Sequence, residues 1–201
     1  MNTETLAMRL ALDLNDGSAN LVTITGPMCA GKTDVLVRIA QQLKEKVKAL
    51  RHVFDAKRTP TWRSRNGQGF AADVYDETSL EQYEKEPKVL LIDEIHFIEN
   101  PEILTSILHR RRNQGFRTVL SGLNMDYQGI EFDTTARVLA LSDEIFVLTA
   151  RCEDCKKPAK YTHRTTRSES RITVGFDQYR PLCLDCWLEA RRRLESPCSH
   201  L

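Results

Sequence analysis

Three groups of residues in this sequence could do chemistry. Gly26-Pro27-Met28-Cys29-Ala30-Gly31-Lys32-Thr33 fits the pattern G-x-x-x-x-G-K-[ST]. In such a loop the glycines let the backbone wrap a chain of phosphates, so that its N–H groups donate to them. The helix N-terminus that follows adds positive potential, Lys32 reaches the outer phosphates, and Thr33 offers its hydroxyl to magnesium. The second group is Asp93-Glu94, at the end of the apolar run Val89 to Ile92. A buried strand of this kind delivers Asp93 to the sheet edge beside the phosphate loop, where it can hold magnesium directly or through water. Glu94 is then placed to take a proton from an attacking hydroxyl or water, a role that depends on position more than on an unusual pKa. The third group is Cys152-x-x-Cys155 and Cys183-x-x-Cys186, two pairs with 27 residues between them. Two such knuckles close one tetrahedral thiolate site, which has no open position and therefore suits a structural zinc.

Each group has a rival reading. A chance glycine turn is not expected between a strand and a helix, and the alternative role for Glu94 is that of a helix-capping residue. Asp93-Glu94-Ile95-His96 also spells the D-E-x-H of some helicases, but two sheet domains sandwiching ATP do not fit into roughly 150 residues. No strongly basic track is visible either. A redox dithiol suits one C-x-x-C pair better than two. Between the knuckles Lys160, Tyr161, His163, Arg164, Arg167, Arg171 and Tyr179 raise the possibility of RNA binding, against which stands a plain solvated loop. Arg110–Arg112 and Arg191–Arg193 read as charged helix ends, and Cys198 and His200 as a frayed terminus.

These groups need elements to position them. Leu21 to Thr25 is a β-rich run entering the glycine turn, and Leu36, Ile39, Ala40, Leu43 and Val47 then repeat at helical spacing. Ala49 to Phe54 reads as a second strand. Arg58 to Gly69, with its Pro, Gly and Asn, predicts an exposed, mobile loop. Lys88 to Asp93 suits a strand buried on both faces of a parallel sheet. Asn100-Pro101 predicts an N-cap with proline at N1, Ile103, Leu104, Ile107 and Leu108 the inner stripe, and Gly115 the stop of a helix. Arg117 to Gly122 and Glu144 to Leu148 bring the strands to at least five, in the βαβ pattern of a doubly wound sheet with ligands at its carboxyl edge. The expected fold class is α/β: a P-loop (RecA-like) parallel sheet flanked by helices over residues 1–150, then a small zinc-binding domain and tail over 151–201.

Composition narrows the function classes. The 201 residues, 41% apolar and 28% charged, describe a globular chain of one domain with an appendage, too apolar to be disordered. A net charge of +1 provides no global field for a polyanion or an anionic membrane. From Arg151 onward, however, eleven basic residues face seven acidic ones. No window is long and apolar enough for a membrane span, and Glu4, Arg9, Asp13 and Asp16 break up any signal peptide, so a cytoplasmic address is expected.

The phosphate loop, the acidic pair and the split cysteines, in this order, resemble a type II thymidine kinase, the family with a zinc-bearing lasso. The resemblance runs from about Leu21 to Trp187. It rests on Gly26-Pro-Met-x-x-Gly-Lys-Thr33, Asp93-Glu-x-x-Phe97, Gly122-Leu-x-Met-Asp-Tyr-x-Gly129 and Val174-Gly-x-x-x-Tyr179-x-x-x-Cys183. It implies ATP-dependent phosphorylation of the thymidine 5′-hydroxyl, with Glu94 and Lys32 catalytic and Thr33 and Asp93 around magnesium. Residues 26–33 and 93–96, Ile95 and His96 included, would line the ATP site. Met28, Phe97, Leu123 and Tyr127 would wall the thymine pocket, with Val174, Gly175 and Tyr179 contributed by the lasso. Homotetramers, or dimers, and inhibition by dTTP are implied too. His96 stands where the family usually has Gln, Asn124 where Asp is usual, and Glu131-Phe132-Asp133 replaces a Pro-Phe-Gly-like stretch. These departures bear on regulation and fine substrate choice. Two alternatives stand beside thymidine: a modified deoxyuridine as acceptor, and a zinc-containing ATPase or nucleic-acid-binding module without a nucleoside acceptor.

Overall fold

The computed structural model describes residues 2–17, 19–43, 47–56, 62–63, 67, 69–166, 171 and 178–195. Up to residue 147 the strands are β1 (Leu21–Thr25), β2 (Val47–His52), β3 (Trp62–Arg63), β4 (Gly69–Phe70), β5 (Asp73–Tyr75), β6 (Val89–Ile92), β7 (Arg117–Gly122) and β8 (Glu144–Val147). The helices are α1 (Thr3–Asp16), α2 (Lys32–Leu43), α3 (Val53–Ala56), α4 (Pro101–Asn113), α5 (Asp133–Leu141) and α6 (Leu184–Glu195). Six strands form one sheet in the order β5-β2-β6-β7-β1-β8, with every neighbouring pair parallel. Strand β7 therefore separates the strand that enters the phosphate loop from the strand that ends in the acidic pair.

Alternation along the strands makes two cores. Val22, Ile24, Ala49, Val89, Leu91 and Val119 face one side, under Leu6, Leu10 and Leu14 of α1 and Val35, Leu36 and Ile39 of α2. Leu21, Leu50, Leu90, Ile92 and Leu120 face the other, under Leu104, Ile107 and Leu108 of α4 and Val138 of α5. A strand covered on both faces reads as a continuous apolar run, which is why Val89 to Ile92 shows no polar alternation. Asn100 caps α4 as expected, its Oδ1 accepting from the Glu102 N–H at 3.0 Å.

Several expectations need correction. Val47 leaves the helical stripe: α2 stops at Leu43, and Val47 opens β2, which lies two residues earlier than its apolar run predicts. Val53 to Ala56 make a helical turn. Trp62, in the segment expected to be exposed, is 2% exposed and packs in the α1–α2 core. Ser64–Asn66 of that segment lie outside the described residues. The three arginines at the end of α4 are not alike either. Arg111 is 1% exposed; its guanidinium donates to the Thr118 hydroxyl and to the Tyr83, Pro87 and Arg117 carbonyls, clamping the amino ends of β6 and β7. Burial brings its pKa down to about 10. Four carbonyl and hydroxyl acceptors explain how a cation is kept there.

After β8 come β9 (Ala150–Arg151), β10 (Pro158–Ala159), β11 (Tyr161–Arg164) and β12 (Tyr179–Leu182), paired as β9–β10 and β11–β12 antiparallel ribbons. His163 and Arg164 are buried in β11, so that part of the basic segment is not a solvated loop. Cys198 and His200 lie outside the described residues. Among the described residues no helix is long and apolar enough to cross a membrane.

Candidate active site

The phosphate loop joins β1 to α2 through backbone that glycine makes possible. Gly26 has φ +138°, and a Cβ there would stand 2.3 Å from the Leu148 carbonyl oxygen, so no other residue fits without moving the exit of β8. Lys32 is buried, and its Nζ donates to the Gly26 and Pro27 carbonyls at 3.1 and 2.8 Å, folding the ammonium over its own loop. Cys29 takes a left-handed φ of +66° at the top of the loop. Met28 is half-buried, and its N–H donates to the Thr162 hydroxyl of β11 at 3.1 Å.

Across β7 lies Asp93, 1% exposed. Its Oδ2 accepts from the Thr33 hydroxyl at 2.9 Å and from the Trp62 indole N–H at 3.0 Å. Its Oδ1 accepts from the Glu94 N–H at 3.0 Å and from the Ser121 hydroxyl. The Tyr75 hydroxyl donates to its carbonyl at 2.9 Å. Ser121 is the next-to-last residue of β7, before Gly122, where a Cβ would press on Ile95 Cγ1 at 2.7 Å. The intervening strand thus ties the two motif strands together at the sheet's carboxyl edge.

Glu94 sits in the left-handed region at φ +59°, ψ 40°, a conformation that costs a non-glycine residue about 1–3 kcal/mol. It precedes the 3₁₀ turn Ile95–Phe97 without capping it through its side chain, so the capping alternative falls away. Its Oε2 lies 3.3 Å from Nδ1 of His96, and that nitrogen accepts from the Leu123 N–H at 3.3 Å. Burial, reinforced by the Lys32 charge, keeps His96 well below the ordinary histidine pKa and hence neutral. Its ring packs on Phe97 and Phe132 at 4.3 and 5.0 Å, and Phe97 in turn packs on His52 and Phe54 at 5.2 and 5.5 Å.

The loop 123–132 closes on itself. Asp126, buried, accepts the Gln128 and Ile130 N–H groups at 2.9 Å and pairs with Arg171 Nε at 2.8 Å. The Arg164 guanidinium lies 3.7 Å from the centroid of the Tyr127 ring, and the Trp187 indole donates to the Tyr127 carbonyl. Leu123 and Tyr127 are half-buried, as is Tyr179, which pairs with Arg164 across β11–β12. Val174 and Gly175 lie outside the described residues.

The four cysteine sulfurs Cys152, Cys155, Cys183 and Cys186 all lie within 4.8 Å of one another. A tetrahedral zinc–thiolate site needs sulfurs about 3.8 Å apart at a Zn–S distance of about 2.3 Å, so the donor set fits zinc. Burial would raise the Cys152 pKa, but N–H groups of Cys155, Cys183 and Asp154 more than offset it and bring it down to about 6. This knuckle is not remote from the phosphate loop. Ala30 and Cys29 pack with Ala150, Cys152, Ala159, Leu182 and Trp187 in one apolar cluster.

The sequence singled out neither Ser121, Trp62 nor Tyr75 around Asp93, nor Thr162 against Met28. Ser121, one residue before a motif glycine at a strand end, was within reach of sequence reasoning. The other three are single residues with no spacing signal.

A family model described as thymidine kinase matches residues 19–187. The chain belongs to the thymidine kinase family. A thymidine kinase of Pyrobaculum aerophilum is 35% identical, covering 79% of this chain and 92% of its own. One of Bacteroides thetaiotaomicron is 29% identical, covering 84% and 86%. Among solved structures, a DNA replication initiation factor has a TM-score of 0.46 and 15% identity over 72% of this chain and 45% of that one, too slight a likeness to support a conclusion. Membership in the thymidine kinase family makes the protein an ATP-dependent phosphotransferase, and the phosphate loop, acidic pair and cysteine site are arranged in keeping with it.

Proposed function

We propose that this protein transfers the γ-phosphoryl of ATP to the 5′-hydroxyl of thymidine, giving dTMP for nucleotide salvage. The observation that supports the reading most is the hold of Thr33 on Asp93, with Glu94 turned out of the strand beside them. Residues 26–33 bind the ATP phosphates through backbone N–H groups. Lys32 leaves its loop carbonyls for the outer phosphates and stabilises charge on the migrating group. Thr33 and Asp93 are the residues that would hold magnesium, which when bound neutralises phosphate charge. Ile95 and His96 close the site beneath the acidic pair.

Glu94 accepts the 5′-hydroxyl proton as O5′ bonds to the γ-phosphorus, the bond to the bridging oxygen breaks, and ADP leaves with its electron pair. Met28, Phe97, Leu123, Tyr127 and Tyr179 wall the base pocket, with Val174 and Gly175 reading the base. Cys152, Cys155, Cys183 and Cys186 hold a structural zinc, for which a reducing cytoplasm is the suitable setting. The division at residues 150 and 151, the homotetramer and inhibition by dTTP belong to the same proposal.

The test is ADP release with each nucleoside in turn. Thymidine should rank first. Deoxyuridine, lacking one methyl, should be poorer by roughly 10- to 200-fold in kcat/KM. Preference for 5-hydroxymethyl-deoxyuridine would replace thymidine by a modified base. ADP release indifferent to any nucleoside would overturn the kinase reading.

A further inference from the structure

Trp62 belongs to no motif, yet its indole N–H is one of four donors that fill Asp93. A carboxylate has about four lone-pair sites. Oδ1 receives Ser121 and the Glu94 N–H, and Oδ2 receives Thr33 and Trp62. The indole is a donor only, so it can neither ligate a metal nor exchange roles with Asp93. Its ring is 2% exposed in the α1–α2 core. The β3–β4 ribbon that carries it is tied to α2 where the Gln41 amide donates to the Gly69 carbonyl at 3.1 Å. Turning the ring away from Asp93 would therefore disturb the core.

We infer that Trp62 is a positioning residue for the metal site: it pins the Asp93 carboxylate so that Thr33 spends its one proton there. A threonine hydroxyl has one donor and two acceptor lone pairs. With the proton directed at Asp93, both lone pairs remain for a cation. With Ser121 on the opposite oxygen, the carboxylate is held against rotation from both sides. This rests on the proposed placement of magnesium at Thr33 and Asp93, with Asp93, its lone pairs filled by donors, acting on the cation through the Thr33 hydroxyl.

The test substitutes Mn²⁺ for Mg²⁺ and measures its affinity for the ADP-loaded protein by electron paramagnetic resonance, without turnover. Trp62→Phe keeps a ring in the core and removes the N–H. Loss of a group that orients a metal-binding side chain typically weakens metal binding by roughly 10- to 100-fold, which is the expected result. Thr33→Ala, measured alongside, separates the two levels. If Thr33→Ala loses Mn²⁺ and Trp62→Phe binds as wild type does, Trp62 has no such role and the metal placement stands. If Thr33→Ala also binds normally, the metal placement itself fails and the role of Trp62 with it.

A second measurement needs no change at Trp62. The sequence has two tryptophans, so ¹⁵N-tryptophan labelling yields two indole cross-peaks, and Trp187→Phe tells which is which. The Trp62 peak should shift when Mg²⁺ is added to the ADP-loaded protein and again in Asp93→Asn. A peak that stays in place in both overturns the proposal.

Discussion

The two ends of the candidate active site are built on different principles. Around Asp93 every lone pair is taken by a donor on a different piece of backbone, and all five residues involved are buried or half-buried. Around Tyr127 the contacts are a stacked guanidinium, an indole on a carbonyl, and the half-exposed Arg171 on the buried Asp126. The phosphate end is held by short directional bonds to regular strands. The end proposed for the nucleoside is assembled from the 123–132 loop and from residues of the cysteine-bearing module. Phosphoryl transfer needs charge fixed to a fraction of an ångström, whereas a flat base needs a wall of suitable shape.

The largest effect should come at the phosphate end. Glu94→Gln should lower kcat by roughly 10²- to 10⁴-fold while ATP binding, followed by calorimetry with a non-hydrolysable analogue, stays near wild type. Near-normal turnover would remove Glu94 as the base. Next, Cys183→Ser tests whether the two ends are independent. Four-thiolate sites hold zinc with about 10–16 kcal/mol in small peptides, so this variant should release the metal, read as zinc per chain by elemental analysis. Because Ala30 and Cys29 share an apolar cluster with Cys152 and Cys183, and Thr162 holds the Met28 N–H, KM should rise for ATP as well as for thymidine. A rise confined to thymidine would mean that the cysteine-bearing module serves the acceptor alone.

A smaller effect should mark the nucleoside end. Arg171 is half-exposed, so solvent screens its pair with Asp126, and Arg171→Ala should cost about 1 kcal/mol, or roughly fivefold in thymidine KM. The ATP KM should not move; steady-state kinetics with each substrate varied would show otherwise. The smallest effect concerns stability and pH. Burial, opposed by Glu77 and Asp76, lowers the His52 pKa to about 4 from the ordinary 6.5. The native state keeps His52 neutral while the unfolded chain takes up a proton below pH 6.5, so its contribution is full above that pH and is lost as pH falls towards 4. His52→Phe keeps a ring against Phe97 and Tyr75 and should flatten part of the fall in melting temperature between pH 6.5 and 4. An unchanged slope would assign the fall elsewhere.

Legibility in the sequence followed the range of the interaction. Gly26 to Thr33, Val89 to Glu94 and Asn100-Pro101 state local rules of turn, strand and cap, and each was readable because its physics is finished within a few residues. Val47 was misread because helical spacing continues numerically past a helix that has already ended at Leu43. Arg111 looked like its neighbours Arg110 and Arg112, since nothing in a run of three arginines says which one points inward. Trp62 was hidden by a Pro- and Gly-rich neighbourhood whose composition describes the loop and not its one buried ring.

By itself the sequence determined the kinds of chemistry: a phosphate-binding turn, a pair of carboxylates after an apolar strand, and a thiolate site divided between two knuckles. These are properties of residue type and short spacing. Only the tertiary structure decided that β7 would lie between the two motif strands, that Ser121 and Trp62 would complete Asp93, and that the cysteine-bearing module would press on the phosphate loop. The reason is that strand order and cross-sheet packing join residues 28, 31 and 134 positions apart, and no local propensity encodes which of many apolar partners a buried face will meet.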